Sequence, residues 1–113
     1  MLYLRGDFDV AVFQAFKEVE VSVREAAKLP DTLLGVKLMR TAFDKDGGPL
    51  SDKTTPEAER DALSHMFAGA IVFYKNPNSH RNVTIEPGEA REMIILASHL
   101  LGIVDGRNQA SDV

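Results

Sequence analysis

Apolar side chains recur at steps of three and four along most of this chain, which is the periodicity of one face of an α-helix. In the first such segment, residues 7–28, they fall at Phe8, Val12, Ala15, Val19, Val23 and Ala26. The pentapeptide VEVSV within this segment alternates as a strand would, but the longer period and the flanking helix formers favour a helix. We therefore predict the first helix over residues 7–28.

Two further helices are predicted on either side of a long loop. Pro30 ends the first helix and Asp31 can cap a second one over residues 31–43, which is apolar on most sides and should be largely buried. Gly, Asp, Ser and Thr dominate the following stretch, DKDGGPLSDKTT, and predict a loop. Thr55, Pro56 and an acid in the first turn then predict the start of a third helix over residues 56–74.

A fourth helix is predicted from Glu86-Pro87 to residue 104. Gly102 should weaken its end, and the last residues should fray as a tail. Four helices joined by one long and two short connections predict an all-α, compact antiparallel four-helix bundle, with the long loop between helices 2 and 3. We see no repeat and no internal boundary, so residues 1–113 are predicted to form a single domain.

Composition narrows the range of functions. The 113 residues are 44% hydrophobic and 27% charged, which is typical of one globular domain. With no Cys, disulfides, thiolate metal sites and a Cys nucleophile are excluded. The net charge of −4 opposes loose binding to nucleic acid. No leader or membrane span is apparent, so we expect a cytoplasmic protein without a membrane partner.

The stretch FYKNPNSHRN, between the last two predicted helices, is the main candidate for chemistry. Lys75, His80 and Arg81 give it local positive charge without an acid, and loops held by a rigid scaffold often carry functional groups. The alternative is an ordinary turn, in which Asn and Ser bond locally and Lys75 meets the negative end of a helix dipole. Composition and spacing alone favour the turn.

Other polar residues give weaker signals. His65 and His99 lie within helices without a second ligand three or four residues away, so we interpret them as surface or partly buried side chains and predict no metal site. The first helix carries a charged group that is most simply a solvated face, although it could instead face the segment from Lys75 to Arg81. That group consists of Glu18, Glu20, Arg24 and Glu25.

Four segments make the chain resemble the bacterial Ymh family of unknown function. They are FKEVEVSVREAA, LLGVKLMRTAF, FAGAIVFYKNPNSHR and EAREMIILASHLLGIVD, and together they span nearly the whole sequence. Members of that family are often longer, so this chain is expected to be the C-terminal domain of a longer architecture. The block YKNPNSHR is the most specific part of the resemblance.

The Ymh family is in turn similar to the HEPN superfamily of small helical domains, many of which are ribonucleases in toxin–antitoxin, phage-defence and CRISPR systems. Their signature is an Arg, usually followed by a polar residue, and a His a few residues later. Lys75, Asn76 and His80 occupy the matching positions here, with Lys75 in place of the Arg. Arg81 could supply the missing guanidinium, whereas Asn82 stands where some HEPN toxins carry a Tyr that a partner enzyme modifies.

The resemblance implies a metal-independent endoribonuclease that uses no cofactor. His80 would transfer protons, Lys75 would stabilise charge on the phosphoryl oxygens, and Asn76 would orient the phosphate or His80. Substrate would be bound by Lys75, Asn78, Ser79 and Arg81.

The resemblance also implies partners. RNA or a nucleotide is the expected ligand, and a homodimer with the two Lys75–Arg81 segments facing each other would supply a second His80. An antitoxin or an N-terminal domain is a further candidate partner. Two alternatives stay open: a non-catalytic HEPN-like module that binds nucleotide, RNA or protein, and a plain helical assembly domain whose loop is only a turn.

Overall fold

A computed structural model describes the backbone of residues 7–75 and 86–111 and the side chains of residues 8–75 and 86–108. Within these ranges the regular structure is entirely helical, which confirms the predicted all-α class. The elements are α1 (Asp7–Ala27), α2 (Gly35–Ala42), α3 (Glu57–Ala70), a π-helical turn (Ile71–Lys75) and α4 (Pro87–Ser111). In the described ranges, no helix combines the length and the apolar character that crossing a membrane requires.

One hydrophobic core joins the helices. It follows the apolar face predicted for α1, and α4 packs mainly against that helix, while α2 packs on both α1 and α3. Phe43 at the end of α2 stacks on Phe67 of α3, with ring centroids 4.2 Å apart, and this pair closes the α2–α3 side of the core. The largest fully buried side chains are Phe16, Phe43, Phe67, Leu38, Met39, Leu50 and Leu100.

The connection between α1 and α2 is longer than predicted. Lys28 adopts a left-handed backbone conformation, with φ of 57°. The amides of Lys28 and Leu29 then donate to the carbonyls of Glu25 and Arg24 in a Schellman motif that ends α1. The predicted cap at Asp31 is wrong, because Asp31 lies in a turn and α2 begins only at Gly35, with Leu34 at its N-cap position.

The long loop between α2 and α3 is confirmed, but its last residues differ from the prediction. Thr55 does not cap α3, because its hydroxyl donates instead to the carbonyl of Asp52 at 2.8 Å. Pro56 takes the N-cap position, and its carbonyl accepts the first amides of the helix. Arg60 donates to the carbonyls of Lys45 and Thr55, so a single side chain of α3 holds both halves of the loop.

Helix α4 continues past the predicted end at residue 104 and reaches Ser111. Gly102 lies within it on the exposed side and does not end the helix. Two tertiary contacts explain the difference: Val104 is fully buried, and Arg107 donates from Nη1 to the carbonyl of Leu50 at 3.2 Å. The tail predicted to fray is therefore helical through residue 111.

Candidate functional site

The end of α3 widens into a π-helical turn, Ile71–Lys75, immediately before the segment singled out in the sequence. Such turns are rare and often occur at functional sites, because they change which side chains of a helix face its neighbours. Here Tyr74 stacks on Phe16 of α1, with ring centroids 4.8 Å apart and planes at 18°. The ring of Phe73 meets Tyr74 edge-on and is 56% exposed. The turn thereby brings Lys75 against α1.

Lys75 forms an ion pair with a buried acid. Its Nζ lies 2.8 Å from Oε1 of Glu20, whose side chain is only 4% exposed. The second oxygen of Glu20 accepts the backbone N–H of Gly35 at 2.7 Å. One carboxylate therefore links the middle of α1, the first residue of α2 and the last residue of the π-helical turn.

The surroundings of this pair keep Glu20 ionised. Burial by itself raises the pKa of Glu20, but the hydrogen bonds from Lys75 and Gly35 and the charges of Lys75 and Arg24 outweigh it. The pKa of Glu20 therefore lies below its ordinary value of 4.5. The stem of Lys75 is also covered, since its side chain is 26% exposed and Nζ lies 5.9 Å from the ring centroid of Phe13.

Arg24 adds a second cation one turn further along α1. Its Nη1 is buried and has no hydrogen-bond partner within the part of the chain that the structure describes. Together with Lys75 it places two positive charges beside Glu20, and both lower the pKa of that carboxyl.

Only one of the site residues predicted from the sequence can be placed. Lys75 is described, whereas the other five lie outside the described residues; these are Asn76, Asn78, Ser79, His80 and Arg81. The charged residues on α1 were interpreted either as a solvated face or as a group facing the Lys75–Arg81 segment. Glu18 and Glu25 are exposed, as on a solvated face, whereas Glu20 faces Lys75. Glu20 and Gly35 are therefore the additions that the structure makes to the site.

The sequence contained a signal for Glu20. It lies four residues after Phe16 and three before Val23, and so on the apolar face of α1, where an acid must find a partner to remain ionised. Lys75 as its partner was only the second interpretation of the charged group on α1, because the π-helical turn that directs Lys75 toward α1 has no signature in the residue pattern. The role of Gly35 was missed as well. The predicted helix over residues 31–43 placed Gly35 inside it, whereas α2 begins at Gly35 and the amide of this residue donates to Glu20.

The two His residues within helices are surface groups, as expected. His65 is exposed, and its Nε2 lies 3.4 Å from Oδ2 of Asp61 one turn earlier. Its Nδ1 lies 3.3 Å from Nη1 of Arg40 on α2. His99 is exposed on α4. Among the described residues, no group of three or more His, Asp or Glu side chains is arranged to hold a metal ion.

Comparison with known proteins identifies the family of the chain. No curated protein and no solved structure matches the chain. A family model does match, over residues 1–104, and its description is "Protein of unknown function (Hypoth_ymh)". Since this match covers nearly all of the sequence, the chain belongs to the Hypoth_Ymh family.

Proposed function

We propose that this protein is a metal-independent endoribonuclease of a toxin–antitoxin or phage-defence system, with its site in the segment from Lys75 to Arg81. The likeness of Lys75, Asn76 and His80 to the HEPN signature supports the proposal. The observation that carries it is the buried ion pair between Lys75 and Glu20, because it occurs at the first residue of that signature. A buried acid is costly unless it is paired, and perturbed carboxylates concentrate at functional sites.

The proposed reaction is a transesterification followed by product release. The 2′-hydroxyl of a ribose loses its proton to a base and attacks the adjacent phosphorus. The bond from phosphorus to the 5′-oxygen of the next nucleotide breaks, and that oxygen takes a proton from an acid. The products are a 2′,3′-cyclic phosphate and a free 5′-hydroxyl. His80 suits the proton transfers because an imidazole titrates near neutral pH.

One His80 cannot act as base and acid in the same step, so the proposal includes a homodimer in which two Lys75–Arg81 segments face each other. The second His80 would then fill the remaining role. Asn76 would orient the phosphate or His80, and Arg81 with its planar guanidinium would bind phosphate oxygens. Asn78 and Ser79 would contribute further hydrogen bonds to the RNA.

A second candidate function is a non-catalytic module that binds a nucleotide, RNA or a protein partner. The same ion pair favours it, because a Lys already paired with a carboxylate at 2.8 Å offers little net charge to a phosphoryl group. The net charge of −4 favours the form of this module that binds a protein partner, since binding of nucleic acid depends on neutralising phosphates.

The deciding experiment is cleavage of a single-stranded RNA in the presence of EDTA by the wild type and by His80→Ala. We expect the wild type to produce fragments with cyclic phosphate ends, and His80→Ala to reduce the rate by roughly 100-fold or more, which is the usual contribution of general acid–base catalysis. His99→Ala is the matched control, because His99 is an exposed residue on α4 and should leave the rate unchanged.

Equal cleavage by the wild type and His80→Ala would refute the ribonuclease and indicate a contaminating enzyme. RNA binding without cleavage, weakened in Lys75→Ala, would instead support the binding module. Growth arrest on expression that His80→Ala relieves would agree with a toxin.

A further inference from the structure

We propose that Glu20 is a positioning residue of this site: it holds Lys75, and Lys75 acts by fixing the start of the Lys75–Arg81 segment rather than as a free cation. This inference rests on the proposed function for its catalytic consequence. Its structural basis lies entirely in described residues, namely Glu20, Gly35 and Lys75 with the aromatic side chains beside them.

Glu20 is suited to hold another group because it is itself held. It lies in the middle of α1, a helix of 21 residues, and is buried among core side chains. Its Oε2 is fixed by the Gly35 amide at 2.7 Å, which leaves Oε1 for Lys75. A carboxylate with both oxygens engaged has little rotational freedom, so Glu20 provides a rigid attachment point.

Lys75 is held along its length as well as at its tip. The preceding residue, Tyr74, stacks on Phe16, and the Lys75 ammonium lies 5.9 Å from the ring of Phe13. The last described residue of the π-helical turn, Lys75, therefore has a defined position. A shift of Lys75 would shift any catalytic group attached after it, and displacements of about 1 Å at a catalytic group cost roughly 100-fold in rate.

The charge of Lys75 is largely cancelled where it stands. A phosphate that approached Nζ would also approach the carboxylate 2.8 Å away, so attraction and repulsion would nearly balance. A free clamp would need Lys75 to leave Glu20 ionised and unpaired among core side chains, which is strongly unfavourable. The geometry thus assigns Lys75 to positioning and leaves phosphate binding to other cations.

Three variants separate positioning from direct action. Glu20→Gln keeps an acceptor for the Gly35 amide but leaves Lys75 without a counter-charge, and Lys75→Met leaves Glu20 without one. The double variant Glu20→Gln/Lys75→Met removes both charges of the pair, so neither partner is left ionised opposite a missing charge. Glu18→Gln is the matched control, because Glu18 is an exposed acid on the same helix.

The measurements are kcat and KM on single-stranded RNA, and amide hydrogen exchange of residues 71–75, with folding checked by circular dichroism. We expect Glu20→Gln and Lys75→Met each to lower kcat by roughly 10- to 100-fold with little change in KM. Exchange of residues 71–75 should become faster in both single variants. The double variant should be no slower, and should exchange no faster, than the slower single variant, because either substitution already breaks the same ion pair. Glu18→Gln should behave as the wild type.

Several results would overturn the inference. If the losses of kcat multiply in the double variant, the two residues act independently. If Lys75→Met lowers kcat without faster exchange of residues 71–75, the Lys75 charge itself acts on the substrate. If Glu20→Gln has the kcat of the wild type, or if its residues 71–75 exchange at the wild-type rate, Glu20 does not position the segment. If the wild type cleaves no RNA, the proposed function fails on its own, and hydrogen exchange in Glu20→Gln against Glu18→Gln still decides whether Glu20 holds Lys75.

Discussion

Gly48 is a residue that the path of the chain after α2 depends on. Gly48 lies in the loop after α2, where its amide donates to the carbonyl of Asp44. Two residues later, the amide of Leu50 donates to the carbonyl of Ala42. A Cβ at position 48 would come within 2.6 Å of the Ala42 carbonyl oxygen and 2.8 Å of the Asp44 carbonyl oxygen. These neighbours are backbone atoms, which cannot rotate away as a flexible side chain could. Position 48 therefore has no room for any residue with a Cβ.

We expect Gly48→Ala to lower the free energy of unfolding by about 1–3 kcal/mol, the range typical of forced overpacking. The neighbouring Gly47→Ala is the control, because a Cβ at position 47 meets nothing within 4 Å. That variant should change stability by no more than about 0.5 kcal/mol. Urea denaturation of both variants measures the difference, and equal stabilities would contradict the close approach at Gly48.

At this scale the sequence identified Lys75, whereas its partner Glu20 appeared only among four charged residues that could face it. Lys75 could be singled out because local residue types and spacing mark the segment in which it lies. Its pairing with Glu20 depends on how the π-helical turn faces α1, and local pattern carries no information about that. The notable clue was an acid on an apolar face, which predicts a partner without naming it.

Among the helices, interiors were predictable and ends were not. The period of apolar residues located all four helices, since the core selects for that period. The ends depend on hydrogen bonds formed only after folding. Asp31 and Thr55 have the right chemistry to cap a helix, yet α2 starts later and the Thr55 hydroxyl donates within the loop. At the other end, Gly102 does not stop α4, because tertiary contacts outweigh its low helix propensity.

The last turns of α4 are tied to the body by Arg107, which donates to the Leu50 carbonyl at 3.2 Å. We expect Arg107→Ala to lower the free energy of unfolding by about 1 kcal/mol, through loss of this partly buried hydrogen bond. Amide exchange in residues 105–111 should also become faster. Thermal denaturation and hydrogen exchange measure the two effects.

Arg91→Ala serves as the comparison for that variant, because Arg91 is an exposed residue near the start of the same helix. Its stability should stay within about 0.5 kcal/mol of the wild type. If Arg91→Ala and Arg107→Ala destabilise the protein equally, the extension of α4 does not depend on the contact with Leu50.

For the whole molecule, fold class followed from the sequence, and the long α2–α3 loop did as well. Both depend on properties summed over many residues, namely apolar periodicity and loop composition, so small errors at boundaries do not matter. The pairing of helices could not be obtained in the same way. That α4 packs mainly on α1 is determined by the shapes of both apolar faces together.

Acid stability of the whole domain should depend on Glu20. The folded-state pKa of Glu20 lies below the unfolded value of 4.5, because the ion pair and the Gly35 amide favour its ionised form despite burial. Ionised Glu20 therefore contributes stability above about pH 4.5, and this contribution is lost as pH falls through the lower folded-state pKa. We expect the free energy of unfolding to fall more steeply from pH 5 to pH 3 in the wild type than in Glu20→Gln.

The exposed acid Glu18 again provides the control. Glu18→Gln should retain the steep wild-type dependence, since its side chain is solvated in the folded protein. Asp52, whose pKa is also lowered, chiefly by hydrogen bonds from Thr54, contributes equally in all three proteins and cancels from the comparison. Parallel curves for the wild type and Glu20→Gln would contradict the assignment.

The three-way contact of Glu20 also has a consequence for the order of folding. Its two oxygens are satisfied by groups on two other elements, one of them at the far end of α3. Until both elements have docked on α1, this acid is better solvated by water than by protein. Docking of the two elements is therefore cooperative, and a partly folded or newly synthesised chain would have no assembled site. The proposed ribonuclease activity would then appear only in the completed fold.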